Sequence, residues 1–131
     1  MNLRIQGLAW YRGRFGEIPK FVHVSRFYPP ALSFTTQAAW AFQIPPHEVG
    51  GWGFSDVFLL HQIANESDDF GCLRIPTGSL LACLHHLYVR SDNGHISLFL
   101  SAEKRDYLRG SRGTGAIEFR HFAWNVHDLV N

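Results

Sequence analysis

The tetrapeptide Ser91-Asp92-Asn93-Gly94 constrains the fold of this chain more than any other stretch. Asn-Gly readily adopts the positive φ angles of a tight hairpin turn, so the pair predicts an antiparallel strand on either side. The outgoing strand covers 95–101, where every second residue is apolar, namely Ile96, Leu98 and Leu100. The incoming arm covers 80–90, and its leucines also fit a helical stripe, so strand and helix both remain open there.

Three more segments have the composition of strands. Residues 3–11 and 21–27 are interpreted as an early hairpin around a basic turn, and 57–64 as a buried strand. A final strand opens at Gly115 and changes phase at a bulge near Arg120 and His121.

Two segments have helical features. Residues 31–44 combine alanines that suit a helix with a Phe-Thr-Thr run that suits a strand, and 102–109 predict a short helix closed by Gly110. The chain is therefore expected to be one β-rich α+β domain over 1–131. We expect a mainly antiparallel sheet or half-open barrel with one or two short helices. The apolar phases of the strands predict a buried core that includes Trp10, Phe58, Leu60, Leu98, Leu100 and Trp124.

Charge is distributed unevenly along the sequence. Residues 1–46 carry five basic side chains and one acidic, a net of +4, whereas 47–71 carry five acidic and no basic side chains, a net of −5. Residues 72–131 carry seven basic and five acidic side chains, a net of +2. This pattern predicts a basic and an acidic face, either of which could bind a charged partner. On the acidic side, Asp68 and Asp69 are the candidate binding residues.

No metal or other cofactor is expected. The eight histidines include no H-x-H and no pair four residues apart, and two cysteines cannot form a four-thiolate zinc site. No secretory signal and no apolar run of 18 residues is found, so the expectation is a cytoplasmic protein with reduced Cys72 and Cys83 and no membrane span.

Two H-x-S tripeptides are the strongest catalytic candidates. His23-Val24-Ser25 and His95-Ile96-Ser97 each lie in a predicted strand, where residues two apart point to the same face. If these strands were neighbours, the imidazoles could act as general base and general acid while the hydroxyls held phosphoryl oxygens.

This arrangement resembles the 2H phosphoesterases, which cleave cyclic or 2′,5′-linked nucleotides without a metal. The resemblance implies that His23 and His95 supply the base and the acid, and that Ser25 and Ser97 bind the phosphate. The sequence departs from the family at Arg26, where most members have an apolar residue.

A basic stretch in and after the predicted helix over 102–109 is a further candidate binding site. Arg105 and Arg109 would share one helix face, with Lys104 and Arg112 nearby, and such a cluster could contact a nucleotide or RNA phosphate.

Neither set of residues forms a complete catalytic signature, so the question of enzyme activity stays open. The favoured hypothesis is a small non-catalytic binding protein of the inhibitor, immunity or adaptor type. It would bind a protein partner through a charged or aromatic face. The metal-independent phosphoesterase is the alternative.

Overall fold

The structure, a computed structural model, describes residues 2–30, 37–110 and 117–124. Its helices are α1 (Leu3–Phe15), α2 (Pro46–Val49) and α3 (Thr77–Ala82). Its strands are β1 (Val22–Ser25), β2 (Ala39–Ile44), β3 (Asp56–Gln62), β4 (Phe70–Pro76), β5 (Tyr88–Val89), β6 (Ile96–Ser101) and β7 (Ala123–Trp124). Short 3-10 turns cover Leu84–His86 and Arg120–Phe122. The expected α+β, strand-rich class is confirmed.

The strands form two sheets that meet at one corner. The first sheet has the order β1-β3-β4-β7, with β1 parallel to β3, and the second has the antiparallel order β2-β6-β5. Tyr28 forms an antiparallel bridge with Ala39, and Ser25 Oγ accepts a hydrogen bond from the Ala41 amide at 2.9 Å. The chain thus passes from one sheet into the other at β1 and β2, and within the described residues the barrel does not close.

The main core lies between the two sheets because one face of each strand is apolar. Its members alternate along the strands: Trp40, Phe42 and Ile44 on β2, Val57 and Leu59 on β3, Leu73 and Ile75 on β4, and Ile96, Leu98 and Leu100 on β6. A second, smaller core lies between α1 and the opposite face of the first sheet. It comprises Tyr11, Val22, Phe58, Leu60, Phe70 and Cys72. The domain therefore has three layers: α1, the first sheet and the second sheet.

The prediction of a strand over 3–11 is wrong, because this segment is the first two and a half turns of α1. The Asn2 side chain caps the helix by accepting from the Arg4 amide at 2.7 Å, and Gly16 ends it at φ +99°. A Cβ at Gly7 would lie 2.9 Å from a Val24 methyl carbon, so glycine lets the helix approach β1 closely. The stripe Leu3, Gly7, Tyr11 and Phe15, spaced four apart, faces the sheet.

Other local predictions are corrected in the same way. The arm 80–90 forms α3, a 3-10 turn and a two-residue β5, so the helix alternative applies to its first half. The ambiguous stretch resolves as β2 where it is described, over Ala39–Ile44. No helix forms over 102–109: the segment is a set of turns in which Leu108, at φ +60°, donates from its amide to Ser101 O at 2.7 Å.

At the end of the chain, the 3-10 turn Arg120–Phe122 replaces the predicted bulge, and Gly115 lies outside the described residues.

The two clearest strand predictions are confirmed. Arg90 N donates to His95 O at 2.9 Å, Gly94 N donates to Arg90 O at 2.9 Å, and Gly94 has φ +74°. The buried strand predicted over 57–64 is β3, which pairs with β4 along its whole length.

Candidate binding groove

The two H-x-S motifs lie in different sheets and differ in how their side chains face the main core. His23 and Ser25 share a phase with Phe21, which packs into the main core. Ser97 lies between Ile96 and Leu98, which pack into that same core, so Ser97 points away from it, and His95 lies just before β6. The strands β1 and β6 are also in different sheets, separated by β2. The side-by-side arrangement that the phosphoesterase hypothesis requires is therefore not formed.

Both motif hydroxyls already have partners inside the protein. Ser25 Oγ donates to Arg26 O at 2.8 Å and accepts from Ala41 N. Ser97 Oγ donates to Gln43 Oε1 at 2.7 Å. Because both serines are buried, a phosphate could reach them only after these hydrogen bonds were broken. The phosphoesterase stays a prediction from the sequence, and no described contact favours it.

His23 instead joins β1 to α2. Its Nε2 lies 3.0 Å from both carboxylate oxygens of Glu48, and Trp52 Nε1 donates to the same carboxylate at 2.9 Å. The His23 and Glu48 side chains are only 14% and 12% exposed. This pair has the contacts of a structural tie between two elements.

The basic candidates do not share a helix face. Arg109 lies 3.2 Å from Glu118 and 3.8 Å from Asp106, so its charge is balanced locally. Arg105 is exposed on the preceding turn, and Arg112 lies outside the described residues. The predicted phosphate-binding helix face is therefore not present.

Of the two acidic candidates, Asp69 already contacts two side chains of α1. Its Oδ1 accepts a hydrogen bond from Trp10 Nε1 at 2.6 Å and lies 3.5 Å from Arg14 Nη2; Asp68 and Asp69 are both exposed. The acidic loop between β3 and β4 thus packs against the basic helix α1, which partly cancels the charge asymmetry of the sequence.

An aromatic groove opens beside the contact between Trp10 and Asp69. It lies between the C-terminal half of α1, the start of β4, and β7. It encloses about 380 Å³ and is lined by Trp10, Gly13, Arg14, Phe15, Phe70, Gly71, Cys72 and Trp124. Its aromatic side chains come from three elements, which are separated in sequence but brought together by the packing of α1 on the first sheet. We call it the aromatic groove.

The aromatic rings of the groove are held in place by contacts with one another. Phe15 and Trp124 stack with centroids 4.3 Å apart, and Trp10 lies 6.0 Å from Phe70. The guanidinium carbon of Arg14 lies 4.8 Å from the Trp10 ring centroid, a cation–π contact. These contacts pre-organise the groove, which reduces the entropy that a ligand must overcome on binding.

A larger hollow of about 680 Å³ lies at the other end of α1. It is lined by Leu3, Gln6, Arg26, Phe27, Tyr28, Gln62, Asn65 and Glu66. The Gln62 amide in its wall is fully engaged: its Oε1 accepts from Phe27 N, and its Nε2 donates to Ser67 O at 2.8 Å. We therefore favour the smaller aromatic groove, in which Trp10, Phe15 and Trp124 are only half-buried.

Two buried titratable groups lie near the groove on β3 and β4. Burial lowers the pKa of His61 to about 4 and raises that of the Cys72 thiol to about 12, so both side chains are neutral near pH 7. Among the described residues the His61 Nδ1 atom has no hydrogen-bond partner, and a Cβ at Gly71 would overlap the His61 ring. The Cys72 side chain forms part of the groove wall, and burial keeps its thiol protonated.

Within the described residues, no group of three or more His, Cys, Asp or Glu side chains is arranged to hold a metal ion. No helix in the described ranges is long and apolar enough to cross a membrane. Comparisons with protein-family models, with curated proteins and with solved structures find no significant match to this chain.

Sequence reasoning assigned Trp10 and Trp124 to the core, but both are only half-buried and line the groove. The sequence signal that could have revealed the groove is the pair Trp10 and Arg14, which lie four residues apart on one helix. That signal depends on recognising α1 as a helix.

Proposed function

We propose that this protein is a non-catalytic binding domain that holds a partner in the aromatic groove. The observation that carries the proposal is the groove itself, in which aromatic rings from α1, β4 and β7 surround about 380 Å³ with Arg14 at the rim. This volume lies near the lower end of the range for small-ligand sites and suits one or two side chains of a protein partner.

The exposure of the rings supports binding over simple packing. The tryptophans in the main core, Trp40 and Trp52, are each only 1% exposed. Trp10, Phe15 and Trp124 remain half-buried although they already contact one another. Tryptophan and arginine are enriched among the residues that contribute most to protein–protein binding, and both are present here.

The chemistry of the lining defines the ligand class. The ring faces favour an aromatic or aliphatic side chain, and Arg14 favours a carboxylate beside it. The Arg14 side chain is 49% exposed and lies at a long 3.5 Å from Asp69, so most of its five N–H donors are available to a ligand. We therefore expect the partner to present an apolar side chain next to a negative charge.

A pair of small probes tests this expectation. N-acetyl-phenylalanine carries a ring and a carboxylate, and its amide is the same molecule without the charge. We expect the acid to bind with a dissociation constant in the millimolar range, because one buried ring contributes only about 3 kcal/mol. The amide should bind several-fold more weakly, and Arg14→Gln should remove the difference between the two probes in a ligand-observed NMR titration.

A blocking variant identifies the site. Nothing lies within 4 Å of a Cβ built at Gly13, so Gly13→Trp can fill the groove without disturbing the core, and it replaces a helix-weakening glycine. Ile5→Trp adds the same ring to an exposed position about 12 Å along the helix and is the matched control. Equal probe binding by Gly13→Trp and the wild type would rule out the groove as the binding site.

A further inference from the structure

Phe54 is the most exposed large apolar side chain among the described residues, with a relative exposure of 107%. It projects from a tight turn in which Ser55 N donates to Trp52 O at 3.0 Å and Gly53 adopts φ +56°. Trp52 anchors this turn, because its ring is buried and its Nε1 donates to Glu48 at 2.9 Å. Folding of the domain therefore does not account for the position of the Phe54 ring.

The turn is also fixed from its other side. Thr77 Oγ1 donates to Gly53 O at 3.2 Å, and Thr77 N donates to Ser55 O at 3.3 Å. A backbone held by these bonds fixes where the Phe54 side chain leaves the surface, so a partner has to order only the two torsions of that side chain on binding. An exposed aromatic side chain on a fixed backbone has the properties of an anchor for a pocket on another molecule.

The ring and the aromatic groove lie at opposite ends of the first sheet. On the antiparallel pair β3 and β4, Asp56 lies opposite Pro76, and Gln62 lies opposite Phe70. Phe54 precedes Asp56, whereas the groove includes Phe70. A seven-residue strand spans about 20 Å, so Phe54 cannot reach the groove of its own chain.

We infer that Phe54 of one copy inserts into the aromatic groove of a second copy, so that this protein associates head to tail. The inference rests on the proposed function, for which it supplies the partner: a second copy of this chain. Because the two contact surfaces are different and lie at opposite ends, the interface is heterologous and each new copy exposes another free groove and another free ring. Association therefore extends beyond a dimer as the concentration rises.

Two single variants and their mixture test the geometry. Phe54→Ala removes the ring and keeps the groove, while Gly13→Trp fills the groove and keeps the ring. Sedimentation equilibrium of the wild type between about 10 μM and 1 mM, a range that includes weak single-anchor interfaces, should show a mass rising above 14.9 kDa. Each variant alone should lose at least about tenfold in association affinity, and Ile5→Trp should behave as the wild type.

The mixture gives the sharpest result. Phe54→Ala and Gly13→Trp should together form a heterodimer, in which the ring of the Gly13→Trp chain enters the groove of the Phe54→Ala chain. This heterodimer should not grow further, because the pair has no other intact ring or groove. A wild type that stays monomeric, a Phe54→Ala variant that associates as the wild type does, or a mixture that stays monomeric would each overturn the inference. Association through the edge strand β5, where Val89 is 52% exposed, would leave Phe54→Ala associating as the wild type does.

Failure of this inference is distinguishable from failure of the proposed function. Phe54→Ala should bind N-acetyl-phenylalanine as tightly as the wild type, since Phe54 is not part of the groove lining. Probe binding without self-association leaves the groove as a site for another partner. Loss of probe binding by the wild type itself would remove both proposals.

Discussion

Acidification should destabilise this domain through His61. The side chain is buried between the sheets, with the Trp40 ring centroid 4.5 Å away, and its Nδ1 has no hydrogen-bond partner in the part of the chain that the structure describes. Burial disfavours the charged imidazolium and lowers the folded-state pKa from 6.5 to about 4. Protons therefore bind more tightly to the unfolded chain, and its population rises as the pH falls.

The sign and size of the effect follow from those two pKa values. Well above pH 6.5 the ring is neutral in both states and contributes no pH dependence to the free energy of unfolding. As the pH falls from 6.5 towards 4, only the unfolded chain gains a proton, and the free energy of unfolding drops by about 1.4 kcal/mol for each pH unit. At pH 5 the loss amounts to about 2 kcal/mol, a large part of the stability of a typical small domain.

Urea unfolding at pH 7.5 and pH 5, followed by tryptophan fluorescence, measures this loss. His61→Gln cannot take up a proton, so its free energy of unfolding should fall by about 2 kcal/mol less than that of the wild type over the same interval. His121→Gln, at an exposed position on the 3-10 turn before β7, is the control and should retain the wild-type pH dependence. The reasoning is refuted if His61→Gln and the wild type lose the same stability between the two pH values.

Three substitutions test other contacts. Gly71→Ala should destabilise the domain by at least about 2 kcal/mol in urea unfolding, because the added Cβ overlaps the His61 ring; an unchanged midpoint would mean that the ring moves freely. Asp69→Lys should cost about 1 kcal/mol through loss of the Trp10 hydrogen bond, while Asp68→Lys should cost almost nothing; equal effects would contradict the structural role of Asp69. Leu98→Ala, at 2% exposure, should cost about 2–5 kcal/mol, and a thermal melt like that of the wild type would refute its burial.

The features that could be predicted from the sequence are those set by neighbouring residues. The Asn93-Gly94 pair determines a turn locally, and the apolar run of β3 specifies a buried strand whatever its partners are. The class of fold follows from such signals, because a chain with many short strands and few helices, as the described residues show, has little choice of architecture.

Tertiary contacts decided the parts that were predicted wrongly. The segment 3–11 has strand-forming residues and a glycine, yet it is helical because Gly7 lets it pack closely on Val24 of β1. The parallel pairing of β1 with β3, which rules out an early hairpin, joins residues more than thirty positions apart. Sequence periodicity carries no information about such pairings.

The aromatic groove could not be predicted for the same reason. Trp10, Phe70 and Trp124 meet only after α1 packs on the first sheet. In the sequence, each of them is indistinguishable from an ordinary core residue. The H-x-S pair shows the reverse case, in which a pattern visible in the sequence is divided between two sheets by the fold.

The most direct test of the aromatic groove as the binding surface uses the four indole N–H groups in a ¹H–¹⁵N NMR spectrum. Trp10 and Trp124 line the groove, whereas Trp40 and Trp52 are buried in the main core and serve as internal references. Titration with N-acetyl-phenylalanine should shift the Trp10 and Trp124 signals along one saturable curve and leave the Trp40 and Trp52 signals in place. If no signal shifts, or if all four shift together, the groove is not the binding surface of this protein.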